Sequence, residues 1–150
     1  MTADLILAVL HHLLVFALFA IFAVQISLVR PGLGADGVRR LAGLDGAYGA
    51  MAMAVLVVGF SRAIWGLKGW EYYSGYWVFW VKVGAFALVG LLSIVPTLRF
   101  RRWLSAAKTD PAHAVPAAEI ATVRQWLHAE AAVLLTLPVL AAVLARNVFY

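Results

Sequence analysis

The chain has 150 residues, of which 65% are hydrophobic and only 13% charged, a balance that excludes an ordinary soluble domain and points to an integral membrane protein. It has no cysteine, which rules out a disulfide framework, a thiolate metal site and a redox dithiol. The formal charge of +5 sits at the flanks of apolar runs, as membrane anchors do, and no soluble segment is large enough to bind nucleic acid.

The first apolar run is Leu5 to Val29, with His11, His12, Gln25 and Ser27 as its only polar members. At about 1.5 Å per residue it crosses a roughly 30 Å hydrocarbon core with some tilt. It is too long for the apolar part of a signal peptide and lacks a basic lead, so it is expected to remain as a helix. Arg30-Pro31-Gly32 stops it. A loop with Arg39 and Arg40 leads to a second run from about Leu44 to Trp65, with Asp45 near its start and Gly66-Leu67-Lys68-Gly69 after it. Gly69 to Trp77 is rich in Trp and Tyr and reads as an aromatic cap at one membrane face. The third run spans about Tyr76 to Leu98 and closes on Arg99, Arg101 and Arg102. Residues 105–118, with Pro111 and Pro116, read as a surface loop, and Glu119 to Gln125 as a lead-in to a fourth run from about Trp126 to Ala145. Pro138 inside that run is expected to kink it and free a backbone carbonyl. The fold expected is an all-α bundle of four transmembrane helices.

Orientation follows from Lys and Arg in the loops. Arg30, Arg39, Arg40, Arg99, Arg101, Arg102, Lys108 and Arg124 fall on one side, and Lys68 and Arg146 on the other. Both termini are therefore expected outside and both longer loops in the cytoplasm.

This topology brings three helices' ionisable groups level in the outer half of the bilayer: His11 and His12 from the first span, Arg62 from the second and Lys82 from the third. An ionisable residue at such depth marks a functional site by default, and an Arg or Lys at a helix centre costs roughly 2.5–3.5 kcal/mol on insertion scales, less toward the interface. The spans carry no acid at that level, so the counter-charge is expected from Glu71 in the outer loop or from a bound anion. A haem meets both needs, with propionates for the cations and iron for a histidine. Adjacent His11 and His12 point about 100° apart and cannot chelate one ion together. The plainer reading is that Arg62 and Lys82 snorkel to the interface and that the histidines bond backbone carbonyls. Gly59, Gly84 and Gly90 read as close-packing positions, Met51 and Met53 as core filler, and His113 as a solvated loop residue. Nearer the cytoplasm, Asp45, Tyr48, Arg99, His128 and Glu130 are placed to form an ion-pair network or a proton entry, and Ser93 lies on the Lys82 face of the third helix.

Leu10-His11-His12, Leu44-Asp45 with Tyr48-Gly49, Gly59 with Arg62, Phe79-Trp80-Val81-Lys82, and the stretch from Gly90 through Ser93-Ile94-Val95-Pro96-Thr97 to Phe100 together resemble the bacterial family called domain of unknown function 2214. The layout more distantly resembles HemJ-type protoporphyrinogen oxidases and CopD-like membrane proteins, which carry an intramembrane His early in the first helix and a Lys early in a later one. HemJ-type proteins bind haem b. The resemblance implies His11 or His12 as the iron ligand, Lys82 as an essential catalytic cation with Arg62 beside it, a tetrapyrrole substrate, and a quinone or second haem as electron acceptor, in the bacterial inner membrane. The reading from a different class is a non-catalytic subunit of a membrane complex or homo-oligomer, or a small proton or ion transporter using the same His/Arg/Lys cluster.

Overall fold

The computed structural model describes residues 2–148. They form six helices and no strand: α1 (Thr2–Leu28), α2 (Ala35–Trp65), α3 (Gly69–Gly75), α4 (Trp77–Thr109), α5 (Ala117–Leu134) and α6 (Thr136–Ala145). α1, α2 and α4 are each long and apolar enough to cross a membrane, and α5 with α6 makes a fourth span, Ala117–Ala145.

The helices outrun the apolar stretches. α2 starts at Ala35, ahead of Leu44, and α4 continues past Leu98 to Thr109. At about 1.5 Å per residue these are rods of roughly 45–50 Å, well beyond a 30 Å hydrocarbon core. Hydropathy reports where lipid begins, whereas the helix continues until a breaker arrives. Asp110-Pro111 is that breaker for α4, so residues 105–109 are helical rather than loop. The fourth span breaks at Leu135. Pro138 has no N–H for the Leu134 carbonyl four residues back, which is the kink expected from the sequence.

α1 packs on α2, α2 on α4, and α4 on α5 and α6. The end that carries both chain termini is tied by polar contacts. The Leu67 amide donates to Asp4 Oδ1 at 3.2 Å, Lys68 Nζ donates to Asn147 Oδ1 at 2.8 Å, and the Tyr76 hydroxyl donates to the Val148 carbonyl. Exposed Trp65, Trp70, Trp77 and Trp80 ring this end, as interfacial aromatics do. At the opposite, basic end the two long loops meet. The Val115 amide donates to the Leu33 carbonyl at 3.0 Å, and Arg124 Nη1 reaches the Val29 carbonyl at 2.8 Å, joining α5 to the end of α1.

In lipid, apolar burial does not drive helices together; close approach and polar contacts do. α1 and α2 illustrate both in an antiparallel seven-residue register. Asp4 meets Gly66, His11 meets Gly59, Leu18 and Ala52 line one cavity, and Gln25 meets Asp45. Seven residues fall about 20° short of two turns, so each set stays on one stripe. Small residues on α2 (Ala52, Gly59, Gly66) make room for the partners on α1. Gly84 and Gly90, expected as packing positions, face open space, and Met53 is exposed rather than core filler.

Candidate functional site

The register decides between the two histidines. His11 lies on the α2-facing stripe and is half-buried; His12, one residue on, is exposed. The His12 ring nitrogen Nδ1 lies 2.6 Å from the Ala8 carbonyl, a local contact within α1. The His11 ring packs against Gly59 of α2. A Cβ built on Gly59 would stand 3.1 Å from its Cε1 and 3.6 Å from its Nδ1. His11 Nδ1 is buried and meets no partner at strict hydrogen-bond geometry, while the Val55 backbone acts on the ring as a hydrogen-bond partner.

Arg62 is one turn beyond Gly59 on α2, and Lys82 is five residues into α4. The charges of Lys82 and Arg62 both act on His11, and that of Arg62 acts on Lys82, so the three side chains share one locale. Arg62 Nε is buried and makes no hydrogen bond. Among the described residues the ion pairs are Arg39–Asp36 at 2.6 Å and Arg99–Glu119 at 3.7 Å. Glu71 is exposed in α3 and pairs with neither Arg62 nor Lys82. The cluster is thus two cations and a histidine, holding unused donors and lacking a counter-charge.

A haem places two demands on this site: a nitrogen facing a slot wide enough for the macrocycle, and cations on the same side for the propionates. His11 has the cations beside it and turns Nδ1 toward α2, so Nε2 is the nitrogen left to a ligand, but no macrocycle-sized slot opens beside it. His12 is exposed, off the stripe of α1 that faces α2. The two cavities described below touch neither histidine, and small-molecule pockets usually run to about 300–1,000 Å³. The residues as arranged do not fit a haem, and the redox chemistry implied by the resemblance depends on that group. Among the described residues no group of three or more His, Asp or Glu is placed to hold a metal ion.

A second polar group lies about 22 Å along α4 from Lys82, at roughly 1.5 Å per residue to Thr97. The Tyr48 hydroxyl donates to Glu130 Oε1 at 2.8 Å, with both residues buried. Asp45 Oδ1 accepts from Thr97 Oγ1 at 2.9 Å and from Gln25 Nε2 at 3.4 Å. A cavity of about 80 Å³ is bounded by Asp45, Tyr48, Ser93 and Thr97, with Leu18 and Phe86 among its apolar walls. Two residues expected here lie elsewhere: Arg99 pairs with Glu119, and His128 is exposed. Gln25 and Thr97 were not legible as partners of Asp45 from sequence; the signal was a polar residue in an apolar run, two seven-residue repeats beyond His11. His113 is half-buried with an unpartnered Nε2, not a freely solvated loop residue. A second, shallower groove of about 480 Å³ runs between α4 and the α5–α6 junction, walled by Val81, Ala85, Leu135 and Val139.

A family model described as Predicted membrane protein (DUF2214) matches residues 3–148. No curated protein matches, and no solved structure matches.

Proposed function

The chain belongs to the DUF2214 family of predicted membrane proteins, and we propose that its bundle binds a small anion, of carboxylate or phosphate size, in the half of the membrane nearer the termini. His11, Arg62 and Lys82 hold it. The observation that carries this reading is the pair of cations beside His11 with no acidic partner among the described residues. Two like charges held together in a low-dielectric setting need a counter-charge, and leaving them without one is costly. Arg62 supplies a fixed guanidinium fork, Lys82 a compact charge and His11 a nitrogen that donates once protonated. The excess of Arg and Lys at the other end supports an outward-facing site by the positive-inside rule. The protein is then an ion-handling membrane protein, in the transporter class rather than the enzyme class.

The test is thermal unfolding of the detergent-purified protein in sodium phosphate, acetate, chloride and gluconate at matched sodium and ionic strength. A ligand that binds only the folded state raises the midpoint with its concentration. One anion should do so saturably, and Arg62→Gln and Lys82→Met should each abolish the rise. Equal midpoints in all four salts, or a rise that survives both substitutions, would remove the reading.

A further inference from the structure

The inner polar group differs from the outer one in a single chemical respect: its donors are already committed. The Thr97 hydroxyl proton goes to Asp45, that of Ser93 to the Gly90 carbonyl at 2.8 Å, and that of Tyr48 to Glu130. What each oxygen has left is a lone pair. Both donors to Asp45 arrive at Oδ1, leaving Oδ2 without one among the described residues. Gln25 is 2% exposed, and its Oε1 is buried with no partner. Its orientation is fixed, because exchanging the amide atoms would set Oε1 against the Asp45 carboxylate.

A buried acceptor without a donor, as Gln25 Oε1 is, is costly and rarely left so in native proteins. We propose that this cavity is a sodium site: an oxygen-only cage built on Asp45, with Thr97, Ser93 and Tyr48 on its wall and Gln25 holding the carboxylate from outside it through Nε2. Hard cations take such oxygens, whereas soft metals want nitrogen or sulfur. The charge matches a monovalent ion. Asp45 supplies one negative charge at the wall, while Glu130 is engaged by Tyr48 and stands behind it. Arg101 acts on Asp45 from the exposed, solvent-screened stretch of α4 and weakens the case for a second positive charge in the cage. A volume of about 80 Å³ admits the ion with one or two waters, each needing about 30 Å³ of liquid volume. The site is separate from the anion cluster and does not depend on it.

The experiment is equilibrium binding of ²²Na⁺ to the purified protein, with thermal unfolding in sodium, potassium and N-methyl-D-glucamine chloride at constant chloride, pH and ionic strength. Holding chloride constant leaves the outer cluster unaffected. Saturable ²²Na⁺ binding is expected, with a sodium-dependent rise in midpoint that potassium and the organic cation do not give. Asp45→Asn should abolish both, and Thr97→Val should weaken binding at least tenfold. If Asp45→Asn does not fold, Thr97→Val and Gln25→Ala carry the test. Absence of sodium binding by the wild-type protein, retention of it in these variants, or a midpoint that follows pH and not sodium would overturn the proposal. The last outcome would assign the cage to a proton.

Discussion

Gly59 is where the α1–α2 register is most exposed to attack by substitution. Two effects oppose one another in Gly59→Ala. Helix propensity favours alanine by about 1 kcal/mol, while the new Cβ stands 3.1 Å from His11 Cε1, so the ring must give by a few tenths of an ångström. The net change should be close to zero. Gly59→Leu keeps the propensity gain but adds three carbons that have to occupy the ring's own space. Overpacking of this kind costs about 1–3 kcal/mol. His11→Ala should relieve it, so the two substitutions should be coupled by an amount in the same range. The assay is a double-mutant cycle of unfolding free energies in detergent micelles, with the anion-dependent midpoint read on each variant. Gly59→Leu should also lose the anion response, because the displaced ring leaves the neighbourhood of Arg62 and Lys82. A cycle that closes to within about 0.5 kcal/mol would show that the ring does not rest on Gly59 and would refute the register.

Tyr48→Phe removes the hydroxyl that donates to a carboxyl 1% exposed; a loss of about 1–3 kcal/mol is expected, and Glu130→Gln, which keeps an acceptor, should cost less than Glu130→Ala in the same unfolding assay. Absorption spectra of protein expressed with ample haem, air-oxidised and dithionite-reduced, should show no Soret band that depends on His11. A band lost in His11→Ala and kept in His12→Ala would instead establish haem ligation and displace the small-anion reading.

Much of the bundle was legible because a membrane imposes two simple demands. Apolar runs must be long enough to cross, and their flanks must carry the charge, so four spans could be counted, and depth arithmetic alone brought His11, Arg62 and Lys82 to one level. What escaped was phase. Residues 11 and 12 are equally deep, and only the docked position of α2 turns one inward. Gln25 and Thr97 escaped for a related reason: each is a polar residue in an apolar run, and its partner, Asp45, sits on another helix. The helix ends were misjudged because Ala35–Gly43 and Arg99–Thr109 are polar enough to leave the bilayer yet contain nothing that breaks a helix. A trace of the register was nonetheless present. Asp45, Ala52, Gly59 and Gly66 recur every seven residues, opposite a matching series on α1 that ends in Asp4.

The joined loops of the basic end have a mechanical meaning. Leu33 is pinned to Val115 and Val29 to Arg124, whereas at the other end α1 is tethered to the α2–α3 turn through the Asp4 carboxylate. α1 is therefore a lever with a firm fulcrum and a light latch. If the bundle opens, the free end travels furthest, and the first groups uncovered are those beside His11. Replacing Asp4 with alanine would remove the latch without touching the fulcrum.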